Sequence, residues 1–193
     1  MTPPGSHVKL TYDDFVLFPD DGLRHELIDG EHYVTAAPNL KHQRIIGNLH
    51  YLIRGWLERN RLGEVFLSPF DVVFTRHDVV EPDLLYLSHG RAKEVLTAAN
   101  VQGAPDLVIE IGSPSTRKRD ETIKRRLYDR GGVSEYWIVD PELDVVRVYR
   151  REGEGFARAA ELSAEAGDVL TTPLFDRLEL RLVDVFQESP GAA

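Results

Sequence analysis

Pro105-Asp-Leu-Val-Ile-Glu-Ile-Gly-Ser-Pro-Ser-Thr116 is the stretch on which the reading of this 193-residue chain turns. Its first half, Asp106 to Ile111, is a short apolar run of the length of a strand buried on both faces. Ser113-Pro-Ser-Thr116 supplies turn and cap chemistry, and the spacing beyond it predicts a helix over Thr122 to Arg130, ended by Gly131-Gly132. Glu110 breaks the apolar run. A carboxylate among Leu107, Val108, Ile109 and Ile111 is costly to bury unless it is paired, hydrogen-bonded or bound to a metal.

Working outward, the elements alternate in type. Thr11-Tyr-Asp-Asp14 carries a capping signature for a short helix that ends before Pro19. Asp29-Gly30, between His25 to Ile28 and Glu31 to Val34, predicts a tight hairpin, because this pair tolerates left-handed dihedrals. Ile45, Ile46, Leu49, Leu52, Ile53, Trp56 and Leu57 follow helical spacing up to a stop at Gly63. Strands are expected over Glu64 to Leu67, Asp71 to Thr75 and Asp83 to Leu87, and a brief helix around Arg91 to Ala99. Further on, Glu135 to Val139 and Val145 to Arg150 form a hairpin, Phe156 to Leu162 pairs with Leu178 to Leu180, and Val183 to Phe186 closes with a helical turn. The expectation is one α/β (α+β) domain over residues 11–187, with a flexible N-terminus over 1–10 and a disordered tail over 188–193.

Composition limits the function. The chain has no cysteine, which excludes disulfides and thiolate metal sites and fits a reducing compartment. No apolar run approaches the roughly 20 residues of a membrane span, and no signal peptide is legible, so a cytoplasmic protein is expected. The net charge of −9 argues against coating nucleic acid by bulk electrostatics. From Arg117 to Arg130, however, seven basic residues stand against three acidic ones, a local charge of +4. This is either a phosphate-binding patch, with Arg117, Lys118, Arg119, Arg125 and Arg126 as its members, or a solvated helix face.

Two acids head the list of chemical candidates. Asp83 opens one strand and Glu110 sits inside another, and carboxylates at sheet ends, with backbone carbonyls and water, are the ligands that magnesium-type ions take. The bland alternative is that Asp83 caps a turn after Pro82 and Glu110 pairs with an arginine. Lys124 lies one helical turn after Asp120, where an ordinary surface ion pair is the simple explanation. Five lysines against eighteen arginines make a retained lysine notable, since a compact point charge can orient or deprotonate a water. Glu26 and His42 are further candidates, although a lone helical histidine is more often a surface or partner-satisfied group. No zinc-type histidine spacing, phosphate-binding glycine loop or Gly-x-Ser-x-Gly turn occurs.

Five segments together resemble the Uma2 family of restriction-endonuclease-like proteins, within the PD-(D/E)XK nuclease superfamily. They are Glu26-Leu-Ile-Asp-Gly-Glu31, Glu81-Pro-Asp83, Pro105 to Thr116, Asp120 through Lys124 to Tyr128, and Gly132-Val-Ser-Glu-Tyr-Trp-Ile-Val-Asp140. The resemblance implies a restriction-endonuclease-like central mixed sheet flanked by helices. It implies an Mg2+ (or Mn2+) ion held by Asp83, Glu110 and the Ile111 carbonyl, with Lys124 and Glu26 beside it. The superfamily's usual lysine position, two residues after the acid, is Gly112 here, so the lysine is expected from the following helix. DNA is the expected substrate, and a homodimer suits the cutting of two strands. A non-catalytic nucleic-acid-binding or regulatory protein on the same scaffold is the alternative, and a small structural protein whose acids merely cap strands is the third.

Overall fold

A computed structural model describes residues 8–35 and 37–188. The N-terminal 1–7 and the tail from 189 onward lie outside the described residues, and with them most of both expected flexible ends. Leu10 N donates to Gly30 O at 2.9 Å, so the chain is already packed on the first hairpin before the first helix begins.

In chain order, the short helix α1 (Tyr12–Phe15) is closed by Thr11 N donating to Asp14 Oδ2. Strands β1 (Arg24–Ile28) and β2 (Glu31–Thr35) form the hairpin, turned by Asp29 and Gly30, both at positive φ. Helix α2 (Leu40–Asn60) starts at Asn39, whose side chain accepts from His42 N. It stops at Arg61 in the left-handed region, before the expected Gly63, which instead opens β3 (Gly63–Leu67). Next come β4 (Val72–Thr75), β5 (Asp78–Val80), β6 (Leu84–Ser88), α3 (His89–Val95), β7 (Val101–Gln102) and β8 (Leu107–Ile111). A continuous helix follows, made of α4 (Arg117–Arg119), a π-helical turn over Asp120–Lys124 and α5 (Arg125–Gly131), longer than the predicted span. Strands β9 (Glu135–Asp140), β10 (Val145–Glu152), β11 (Gly155–Ser163), β12 (Val169–Leu170) and β13 (Leu180–Arg181) lead to α6 (Leu182–Phe186).

The central sheet is six-stranded and mixed, in the order β11-β10-β9-β8-β6-β3, with β8 and β9 parallel and the other pairs antiparallel. The fold is therefore the mixed sheet flanked by helices that the sequence leads one to expect. Two details differ. β11 pairs with β10 along its length, and Leu180 pairs with Leu170, so the expected Phe156–Leu162/Leu178–Leu180 ladder does not form. A second, five-stranded sheet, β2-β1-β5-β4-β7, covers part of one face.

Alternation along β8 divides its side chains between two cores. Ile109 and Ile111 join Trp137 and Val139 beneath α2 and α6. Val108 joins Tyr136, Ile138, Leu127 and Tyr128 between the central sheet, α5 and the second sheet. Glu110 shares the Val108 face, because successive strand residues point to opposite sides. It is thereby held in the layer between two sheets and a helix.

Candidate active site

The antiparallel ladder of β6 and β8 pairs Leu84 with Ile109. Extending that register by one residue sets Asp83 opposite Glu110, so acids far apart in sequence meet at one end of the sheet. Ile111 N donates to Asp83 Oδ2 at 2.7 Å across the same join. The second sheet contributes Glu26 from β1, and the helix over β8 contributes Lys124. Lys124 Nζ lies 2.7 Å from Glu26 Oε1 and 2.8 Å from Glu110 Oε1. Tyr128 Oη donates to the same Glu110 oxygen, and Glu81 N donates to Glu26 Oε1.

Glu26, Asp83, Glu110 and Lys124 are all almost fully buried. Lys124 therefore does not make the surface ion pair with Asp120 that its spacing suggests. The π turn lies between Asp120 and Lys124 and both face inward, a backbone form often found at functional sites. Gly112, where the superfamily's usual lysine would stand, lines the cleft, and the ammonium reaches Glu110 from the helix.

The two facing acids are held in opposite protonation tendencies. For Asp83, burial disfavours charge, but the His42 hydrogen bond, the Arg24 guanidinium at 2.8 Å and the Ile111 amide together outweigh it and hold the carboxyl down at about 2. For Glu110, burial dominates; Lys124 opposes it, while Asp83, Asp120 and Glu26 add repulsion, and the carboxyl is pushed up to about 8. Asp120 is raised to about 6, again chiefly by burial. Lys124 also loses solvation, yet Glu110, Glu26 and Asp120 more than compensate and hold its pKa well above the usual lysine value. Divergent neighbouring carboxyls are a pattern of sites that handle protons or charge.

Asp83, Glu110, Ile111, Asp120 and Lys124 line one cleft together with Asn39, His42, Ser113, Ser115 and Arg119. The donor set of carboxylates and backbone oxygen suits a hard divalent cation, and Glu26 Oε2 is buried without a hydrogen-bond partner. Among the described residues no three His, Asp or Glu side chains converge tightly enough to ligate alone. Such a cation would thus rely on Asp83, Glu110, the Ile111 carbonyl and water.

The basic stretch is divided between faces. Arg117 pairs with Asp140 at 2.5 Å, and Arg119 reaches Thr35 Oγ1 and lies 3.5 Å from Glu26 Oε2. Arg125 stacks over Tyr149, 5.1 Å from the ring centre. Lys118, Arg125 and Arg126 have no carboxylate partner among the described residues, and Lys118 and Arg126 are exposed. Two residues escaped the sequence reading. Arg24 stands two before Glu26, on the same strand face, and period two was the available signal. Tyr128, one turn beyond Lys124, carried no signal separating it from core.

A mixed sheet with an acid pair at its end and a lysine from the adjoining helix defines a restriction-endonuclease-like fold. A crystal structure of "a putative nuclease belonging to DUF820" from Anabaena variabilis superposes with a TM-score of 0.77 at 24% identity, over 92% of this chain and 97% of that one. The chain belongs to the Uma2 family, described as "Putative restriction endonuclease", which matches residues 12–183. The type IIG restriction endonuclease BpuSI is similar only at a TM-score of 0.40 and 12% identity, over 64% of this chain and 13% of that one, too distant to support an argument. No curated protein matches.

Proposed function

We propose that this chain is a divalent-metal-dependent nuclease that hydrolyses phosphodiester bonds, with DNA as its substrate. The observation that supports the reading is the convergence of Asp83, Glu110 and Lys124 from two strand regions and a helix on one cleft, with Glu26 of the second sheet against the Lys124 ammonium. Asp83, Glu110 and the Ile111 carbonyl would hold Mg2+ or Mn2+, which when bound would polarise a phosphoryl oxygen and acidify a water. Lys124, held protonated by the carboxylates around it, is suited to orienting water and stabilising negative charge rather than to removing a proton. Glu26 fixes that ammonium from the opposite sheet. Lys118, Arg125 and Arg126 supply the cations available to phosphate, with Arg117 and Arg119 contributing only if their present partners release them.

One observation favours the non-catalytic alternative: both Asp83 oxygens are already engaged, Oδ1 by Arg24 and Oδ2 by His42 and Ile111 N. Incubation of supercoiled plasmid and linear duplex with Mg2+ or Mn2+, with and without EDTA, separates the two. Cleavage that EDTA, Asp83→Ala and Glu110→Ala each abolish is the expected result. Duplex binding with no cleavage in either metal would replace the nuclease by a binding protein. A twofold assembly is part of the proposal, and sedimentation of the free chain at one protomer mass would remove it.

A further inference from the structure

Arg24 lies on the carboxylate proposed to hold a divalent ion. It precedes Glu26 by two residues on β1, so both side chains share the strand face that meets the acids at the sheet end. Its Nη1 donates to Asp83 Oδ1 at 2.8 Å and its Nη2 to Ser68 Oγ at 3.1 Å, and the side chain lines the cleft with 18% of its surface exposed. His42 and Ile111 N engage the other Asp83 oxygen, so Oδ1 is the atom left for a cation, and the guanidinium already stands on it. The other two cations of the cleft, Arg119 and Lys124, lie against Glu26 behind it. Arg24 is held less firmly: Glu81 is 3.9 Å away, beyond hydrogen-bond reach, and its second anchor is a serine hydroxyl.

The charged side chains that line the cleft balance in number. Asp83, Glu110 and Asp120 face Arg24, Arg119 and Lys124, three carboxyl groups against three cations. A divalent ion thus meets little net attraction, and at Asp83 it meets a like charge in a partly buried site, where repulsion is stronger than in water. A phosphodiester changes this, because it brings a negative charge and oxygens that accept the planar N–H donors of a guanidinium. We infer that Arg24 couples the two ligands of the cleft: it opposes the divalent ion at Asp83 Oδ1 and leaves that oxygen for a phosphate when one arrives, so that ion and phosphodiester bind cooperatively. The inference rests on the nuclease reading above and gives a role to the contact that engages Asp83 Oδ1. Arg24 only exchanges one anionic partner for another. Linkage then requires the phosphodiester to tighten the ion by the same factor as the ion tightens the phosphodiester.

Calorimetric titration of the full chain with Mn2+ alone tests the opposition. Arg24→Met removes the charge and keeps much of the side chain's bulk, and it should tighten Mn2+ by about 10- to 100-fold. Ser68→Ala keeps every charge and frees only the second anchor of the guanidinium, so it should tighten Mn2+ by about two- to tenfold and serves if the Met variant does not fold. Anisotropy of a labelled duplex, titrated with Ca2+ to avoid cleavage, tests the coupling. Ca2+ should raise duplex affinity about tenfold or more in wild type, and this factor should fall toward one in Arg24→Met. Mn2+ affinity unchanged or weakened in Arg24→Met, or in Ser68→Ala where the Met variant does not fold, would mean that Arg24 merely holds Asp83 in position. That result, or equal Ca2+ coupling in wild type and Arg24→Met, overturns the inference and leaves the metal site standing. Mn2+ bound by neither wild type nor Arg24→Met removes the metal-dependent reading and the inference together.

Discussion

Lys124 Nζ lies 2.8 Å from Glu110 Oε1, although the lysine belongs to the helix that follows the glutamate's own strand. The π turn, the 1% exposure of Lys124 and the second contact to Glu26 make this ammonium the centre of a buried charge cluster rather than a surface group. The consequence for mutation differs from what an exposed Asp120–Lys124 pair would give.

Lys124→Ala is expected to cost stability as well as activity. Removing one partner of a buried ion pair leaves its carboxylates uncompensated, at about 3–5 kcal/mol, against a few tenths for an exposed helical pair. Chemical denaturation at pH 7 measures the loss. Because burial pushes Glu110 up to about 8, its protonation relieves part of the defect, and the difference from wild type should be larger at pH 9 than at pH 6. A variant as stable as wild type at pH 7 would contradict the buried arrangement.

Glu81 gives a pH dependence of stability that does not need activity. Its carboxyl, 15% exposed and close to Asp71 and Glu26, is pushed up to about 7, mainly by burial. A carboxyl whose folded value exceeds its unfolded one favours folding when protonated. The stability it contributes is fully present below about 4.5 and is lost as pH rises through about 7. Urea midpoints from pH 5 to 8 should fall more steeply for wild type than for Glu81→Gln, and parallel slopes would refute the assignment.

Gly63 tests the packing of the central sheet's edge. At φ +157°, an added Cβ would come 2.1 Å from Leu87 O, an approach that neither backbone can yield to cheaply. Gly63→Ala should therefore lower stability by on the order of 2–4 kcal/mol, beyond the usual range of surface substitutions. Gly90, with open space around it, serves as the control, and Gly90→Ala should be near neutral or slightly stabilising.

The parts legible in sequence are those fixed by local chemistry. The Asp29-Gly30 hairpin, the apolar periodicity of α2 and the apolar run of β8 announce themselves within a few residues. β5 and β7 are three and two residues long, and their pairing in the second sheet is set by distant partners, so no local period reveals them. The candidate acids were visible because a carboxylate in a buried strand is costly. His42 is a candidate in the sequence without a partner and Arg24 carries no signal of its role, because what engages both with Asp83 is the tertiary approach of β1 and α2. Helical spacing describes Asp120 and Lys124 equally well on a surface, and the sequence carries no sign of the π turn or of Glu26 waiting opposite.

Salt dependence tests the basic stretch. Seven cations lie between Arg117 and Arg130, but Arg117 is paired with Asp140, Arg119 lies against Glu26, Lys124 is buried, and Arg130 is paired with Asp78 at 2.5 Å. Lys118, Arg125 and Arg126 remain without a carboxylate partner among the described residues, and Arg125 rests on Tyr149 of β10. Each phosphate neutralised contributes about −0.9 to the slope of log affinity against log salt on duplex DNA, so two or three contacts give roughly −2 to −3. Fluorescence anisotropy of a labelled duplex in Ca2+ measures the slope without cleavage. Lys118→Glu with Arg126→Glu should flatten it by about 2 while leaving the denaturation midpoint unchanged, since both side chains are exposed. A slope of −4 or steeper would mean that Arg117 and Arg119 leave their carboxylates to join the contact, and a slope near zero would reduce the stretch to a solvated helix face.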